Sequence, residues 1–371
     1  MRRMADTPVI SDIETAVYTI PTDAPEADGT LTWHKTTLVL VTLRAAGQEG
    51  IGWSYSSGAA ANFIIEILKS VVLGRPALDI PAIAEDMARA LRNAGRPGAG
   101  ATALSAVDIA LWDLKARLLG LPVADLLGRA REHVPIYGSG GFTSYDEQQT
   151  RDQLAAWVDG DRIPRVKIKI GESWGADEHR DLARVALARE VIGPDTELYV
   201  DANGGYSAAQ AIRVARRMDD YGVTWFEEPV SSRDPAGLAA IRRQVLPDVA
   251  AGEYVWSLAD AAALIDAGAV DCLQLDVTRC GGITDFVRGA GLAAAHNLQV
   301  SGHCAPSLHA HVGAAVPNLR HVEYFHDHQR IEGMLFDGVL SPHGGHLTPD
   351  AAAPGLGLTF RSAEAERYRT A

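Results

Sequence analysis

The sequence predicts an α/β protein in which an α+β N-terminal third precedes a parallel barrel of βα units. Three observations predict it. After residue 130 short apolar runs alternate with helical segments rich in Ala, Leu and Arg, which is the rhythm of βα units. There are eight such runs, the number that closes a barrel: Val134–Tyr137, Val166–Ile170, Leu198–Val200, Thr224–Phe226, Val249–Ala251, Cys272–Leu275, Leu298–Ser301 and Arg320–Val322. No Gly-x-Gly-x-x-Gly turn follows an early strand, which disfavours the alternative, a doubly wound open sheet.

The remaining elements follow in order. Leu38 to Leu43 is a β-branched apolar run ending near Gly47, and Phe63 to Leu73 has helical spacing. Gly95-Arg96-Pro97-Gly98-Ala99-Gly100 reads as a loop, because the full spacing of a phosphate cradle is missing. It leads into an amphipathic helix, Ala103 to Leu114, closed by Gly120 and Pro122. The tail from about Leu335, rich in Gly, Pro and His, lacks the βα rhythm and is expected to return to the N-terminal domain. The predicted divisions are 1–130, 131–334 and 335–371.

Composition excludes several classes of function. A formal net charge of −13 repels phosphate backbones and anionic lipid, so neither nucleic acid nor membrane is expected as a partner. Met1 to Pro8 leads into no apolar targeting segment, and a cytoplasmic location is expected. Cys272, Cys280 and Cys304 are odd in number and scattered, which argues against a disulfide framework. Lysine is scarce, with only Lys35, Lys69, Lys115, Lys167 and Lys169.

In a parallel barrel the C-terminal strand ends face one mouth, and runs two to eight each end in ionisable groups. Asp201, Glu227 and Glu253 end three consecutive runs. Taken singly each would read as a loop acid or helix cap; in phase, three converging carboxylates repel one another unless a cation lies between them. A hard divalent ion with oxygen ligands, Mg²⁺, fits better than zinc. Lys167 and Lys169 sit two apart on one strand and share a face, so their like charges are expected to lower the pKa of one towards that of a general base. A solubilising edge strand is the bland alternative, weak when two of the five lysines fall within three residues. Asp276 and His303 end neighbouring runs, where the carboxylate can orient the imidazole as a second acid/base group. His309, His311, His326 and His328 read as structural.

On these residues the chain resembles the enolase superfamily, mandelate racemase subgroup, over nearly its whole length. The matching motifs are Ser105 to Lys115, Lys167-Ile168-Lys169-Ile170-Gly171, Asp201-Ala202-Asn203-Gly204-Gly205-Tyr206 and Trp225-Phe226-Glu227-Glu228-Pro229. The resemblance implies a modified TIM barrel, (β/α)₇β, under an N-terminal capping domain. It implies Mg²⁺ on Asp201, Glu227 and Glu253, a Lys169 base and a His303–Asp276 dyad. It further implies that Lys167 and Glu323 contact the substrate carboxylate and stabilise the enolate, Glu323 in protonated form, and that Asn203 lines the site. Specificity is expected in a loop from Pro21 to Lys35, including Trp33 and His34, and in Tyr137 and Ser139. A homo-oligomer, up to an octamer, is also implied.

No lysine follows Lys169, whereas muconate-cycloisomerase and dipeptide-epimerase relatives carry one near the sixth strand, so that branch is disfavoured. The branch left contains mandelate racemase and the acid-sugar dehydratases. The expected reaction is abstraction of the proton α to a carboxylate, then dehydration of an acid sugar to a 2-keto-3-deoxy acid. Racemisation of a 2-hydroxy acid is the alternative. A scaffold binding ligand or metal without turnover would lack an acid/base residue, and none is missing.

Overall fold

The computed structural model describes residues 7–371. Three antiparallel strands open the chain: β1 (Asp12–Ala27), β2 (Thr32–Ala45) and β3 (Gln48–Tyr55). Alternation along β2 and β3 puts Leu38 and Leu40, with Ile51 and Trp53, in the cluster shared with the barrel, and Val39, Val41 and Leu43 in another cluster. The segment read from sequence as a loop, Pro21 to Lys35, is instead the far end of the β1–β2 hairpin. Its register shifts between Pro21 and Glu26, and Asp28 Oδ1 closes the turn by accepting from Thr30 N, Thr30 Oγ1 and Leu31 N. The hairpin reaches past the apolar core, so its strands lack the alternation that would have marked them.

Helix α1 (Ala99–Leu119) is longer than the predicted 103–114, and it is buried nearly all round rather than amphipathic. It is covered on one side by β3 and on another by a barrel helix, so no face is left for solvent. A Cβ on Gly52 would lie 2.3 Å from Ala106 O, so only glycine lets β3 approach this closely. Gly120, with φ of 68°, ends the helix in the left-handed region.

The polar residues of α1 fasten it to the barrel. Ser105 Oγ accepts from Gly281 N and Gly282 N, while Asp108 accepts from Thr284 N and Thr284 Oγ1. Asp113 accepts from Ile51 N, Leu356 N and Arg117 Nε, joining the sheet and the tail to the same helix.

Eight parallel strands form the barrel: β4 (Val134–Gly140), β5 (Arg165–Lys169), β6 (Glu197–Asp201), β7 (Val223–Glu227), β8 (Asp248–Ala251), β9 (Cys272–Leu275), β10 (Gln299–Gly302) and β11 (Leu319–Phe325). Pairing of β11 with β4 closes it. Crossover helices include α2 (Gly282–Ala295) and α3 (Pro306–Ala315), and α4 (His326–Leu335) follows the last strand. The interior is filled rather than open: Tyr137, Tyr199, Trp225 and His321 pack edge-on or stacked within the ring. This aromatic layer is the floor on which the charged strand ends stand.

The tail contacts both parts of the molecule. His346–Leu347 pairs antiparallel with the start of β4, and Val17 N donates to Ala371 O. Among the described residues no helix is long and apolar enough to cross a membrane, and the three cysteines are free and buried.

Candidate active site

Strand register assembles the first wall. Lys169 is the Cα partner of Asp201, and Asp201 of Glu227, so three charged side chains stand in a row on β5, β6 and β7. Glu253 joins them from just beyond β8, after Gly252, whose φ of 134° and close approach to Gln274 O admit no side chain. Ligand atoms of Asp201, Glu227 and Glu253 all lie within 4.8 Å of one another, and all three residues are buried. Glu253 Oε2 is buried with no hydrogen bond. Convergent carboxylate oxygens, one of them unpartnered, fit a hard divalent cation such as Mg²⁺.

Lys167 and Lys169 do share a face, but carboxylates surround them. Lys167 Nζ lies 2.6 Å from Glu227 Oε1, 2.7 Å from Glu323 Oε1 and 3.7 Å from Asp201 Oδ2. Lys169 Nζ donates to Asp201 Oδ2 at 2.5 Å. Burial works against both ammonium charges, yet Glu227 and Glu323 at Lys167, and Asp201 at Lys169, outweigh it and hold both above the ordinary lysine value. The lowering expected from mutual repulsion is outweighed here by the carboxylates of Asp201, Glu227 and Glu323. Burial pushes Glu227 up to about 7 despite Lys167.

The second wall is the dyad. His303 Nδ1 donates to Asp276 Oδ2 at 2.8 Å, and Asp276 Oδ1 accepts from Thr278 N and Thr278 Oγ1, both at 2.7 Å. Burial opposes charge on His303, but Glu253, Glu323 and the bond to Asp276 raise its pKa above the ordinary value. Arg279 ties the walls together, with Nη1 at 3.2 Å from Glu253 Oε1 and Nε at 3.3 Å from Asp276 Oδ2.

Glu323 faces both walls. Its Oε1 accepts from Ser139 Oγ at 2.6 Å, and its Oε2 from Cys304 N at 3.0 Å. Burial alone would raise its carboxyl, but Lys167 and then His303 hold it well below the usual range, a direction opposite to the protonated form expected.

A cavity of about 410 Å³ lies over these groups. Lys169, Asn203, Glu253, His303 and Glu323 line it, and Asn203 Oδ1 is a buried acceptor without a partner. Trp33 enters from the hairpin, its indole N–H donating to Glu26 Oε2. Asp201, Glu227, Asp276 and Lys167 lie beneath the lining.

Three expected substrate contacts are corrected. His34 is exposed and outside the lining, because alternation along β2 gives the cavity Trp33 and Lys35 instead. Tyr137 and Ser139 lie within β4, which runs three residues beyond the predicted Tyr137 end. Tyr137 therefore belongs to the aromatic floor, and Ser139 braces Glu323 from behind. His328, read as structural, does line the cavity, stacked at 3.5 Å on Tyr55. Sequence reasoning also missed Tyr55, Arg279 and Cys304, while Lys35, the last residue of the expected specificity segment, does line the cavity. Arg279 had a signal, lying three residues after a strand-end acid; Tyr55, which ends β3 in the other domain, had none.

The site's setting is shared with known proteins. Residues 12–128 match the mandelate racemase / muconate lactonizing enzyme N-terminal domain, and residues 149–365 the enolase C-terminal domain-like family. A mandelate racemase/muconate lactonizing enzyme-like protein from Rubrobacter xylanophilus is 49% identical, with a TM-score of 0.94 over 98% of this chain and 100% of that one. L-talarate/galactarate dehydratase of Salmonella typhimurium is 34% identical over 87% of this chain and 79% of its own length. A racemase from Streptomyces coelicolor A3(2), solved with bound magnesium, is 29% identical, with a TM-score of 0.92 over 98% of this chain and 100% of that one.

Proposed function

The chain belongs to the mandelate racemase/muconate lactonizing enzyme family of the enolase superfamily, and on that premise we propose that it is a Mg²⁺-dependent dehydratase of acid sugars. One observation carries the proposal: Lys169 and His303 line one cavity from different walls, β5 and the end of β10, above the three-carboxylate cluster. Two proton carriers on separate walls can remove an α-proton on one side and deliver a proton on the other.

Mg²⁺ held by Asp201, Glu227 and Glu253 would supply positive charge to the substrate carboxylate as electrons move onto it. Lys167 adds its charge from below the ring, where burial makes it count more than in water. Lys169 and His303 divide the acid and base roles. Asp276 keeps His303 Nδ1 protonated, so Nε2 is the atom that exchanges a proton with the substrate. Protonation of a β-hydroxyl by His303 expels water and leaves an enol, which becomes the 2-keto-3-deoxy acid as its O–H proton is lost and a proton is gained at the β-carbon. Removal and redelivery of protons conserve mass in both this reaction and the racemase alternative.

The lining favours a polyol diacid. Lys35 stands on the capping wall with no carboxylate partner among the described residues, beside Thr37 and Ser56. An unpaired ammonium there suits a second carboxylate far from the reacting carbon. The test is a library of acid sugars assayed for 2-keto acid with Mg²⁺ present. Diacid sugars should score; a library without hits, together with α-proton exchange on an aryl or aliphatic 2-hydroxy acid, would establish the racemase reading instead. The Streptomyces coelicolor racemase is the observation that keeps this second reading.

A further inference from the structure

Cys304 has no part in the proton transfers, yet its sulfur stands against the atom that performs one of them. Cys304 Sγ lies 3.3 Å from His303 Nε2 and 3.3 Å from Glu323 Oε2, and those two atoms are 3.7 Å apart. A tetrahedral zinc ion with ordinary bond lengths spaces its ligands by about 3.3 to 3.6 Å. The three atoms therefore already form close to one face of such a tetrahedron. The backbone of Cys304, at φ of 55°, turns the side chain inward, and all three residues line the cavity.

Two further features suit the ligand. Asp276 holds the Nδ1 proton of His303, which leaves Nε2 as the lone-pair atom, the carboxylate–histidine arrangement that supports zinc binding. The three donors sit together without drawing on Asp201, Glu227 or Glu253, so both clusters can be filled at once. This donor set adds a thiolate and an imidazole to one carboxylate, unlike the all-oxygen cluster of Asp201, Glu227 and Glu253, so softer ions prefer it.

We propose that His303 Nε2, Cys304 Sγ and Glu323 Oε2 form a second metal site, selective for Zn²⁺ and similar soft ions, whose occupation removes His303 from proton transfer and inhibits the enzyme. Zinc bonds to sulfur, nitrogen and oxygen form, the thiol proton passes to solvent, and no electron is transferred. Binding stands on geometry alone; the inhibition rests on the function proposed above.

The experiment titrates Cd²⁺ and Zn²⁺ into the full chain in excess Mg²⁺. A thiolate-to-cadmium charge-transfer band should appear in the wild type and in Asp201→Asn, and vanish in Cys304→Ser and Cys304→Ala. Zinc should suppress turnover of the wild type, and Cys304→Ser should raise the inhibitory concentration at least about tenfold. X-ray absorption at the zinc edge of the wild type, which needs no variant, should show one sulfur with nitrogen and oxygen neighbours. An oxygen-only shell, or a band that survives loss of Cys304, overturns the site. A protein that binds cadmium through Cys304 but turns over no acid sugar would leave the site standing and remove the proposed function.

Discussion

Asp276 Oδ2 accepts the Nδ1 proton of His303 at 2.8 Å, while Thr278 occupies the other oxygen of the same carboxylate twice. The carboxylate has no freedom to rotate away, so it sets the tautomer of His303. Asp276→Asn is expected to keep the fold and lower turnover by about 10²-fold or more, because an amide can present its donor to Nδ1 and reverse the tautomer. Steady-state rates and thermal melting check it; a variant with near-wild-type turnover would remove the dyad from the mechanism.

Lys169→Ala and His303→Asn should each reduce turnover by roughly 10²- to 10⁴-fold. The sharper reading is exchange of the substrate α-proton with D₂O, followed by NMR. Loss of one carrier should abolish exchange from its side alone. Exchange that survives undiminished in both variants is incompatible with the assignment of these residues.

Magnesium should raise the melting temperature of the wild type by a few degrees, since ligand at a hundredfold its dissociation constant adds about 2.7 kcal/mol to stability. Asp201→Asn and Glu253→Gln should lose most of that shift. An equal shift in both variants would place the ion elsewhere.

Lys35→Gln should raise KM for a diacid sugar by about three- to tenfold, the modest size reflecting an exposed, screened ammonium, with kcat little changed. KM for the matching monoacid should stay level. A parallel rise for both substrates would deny Lys35 a role in reading the distal carboxylate.

Asp108 gives a pH dependence unconnected with catalysis. Burial pushes its carboxyl up to about 7, against its bonds from Thr284, which lower it. A raised folded-state value means the native protein binds the proton more tightly than the unfolded chain does. Its contribution is full below the ordinary aspartate pKa of about 4 and is lost as pH rises towards 7, by an amount on the order of a few kcal/mol. Asp108→Asn, whose amide can still bond Thr284, should flatten the fall in melting temperature between about pH 4 and 7. Equal slopes in variant and wild type would mean the carboxyl titrates normally.

What the sequence made legible was the part that strand periodicity controls. Lys169, Asp201 and Glu227 end consecutive strands in one register, so counting residues places them together. The same counting placed His303 beside Asp276. It failed where a side chain's neighbours come from another strand. Lys167 and Lys169 looked like a mutually repelling pair because the acids facing them belong to β6, β7 and β11. The hairpin carrying Trp33 and Lys35 hid its strands for lack of an apolar face, and His34 was chosen where Lys35 belonged. Tyr137 and Ser139 were placed by ending β4 too early.

Helix α1 reaches past the capping sheet to hold Gly281, Gly282 and Thr284, the residues immediately downstream of Asp276 and Arg279. A Cβ on Gly282 would lie 2.2 Å from Asp108 Oδ2, so this seam tolerates no independent drift of either side. Grafting a relative's first domain to borrow its substrate range would therefore disturb the turn that carries Asp276 and Arg279 unless positions 105, 108 and 282 travelled as a matched set. Within this architecture, new substrates are more accessible through the hairpin tip than through wholesale exchange of the segment that carries it.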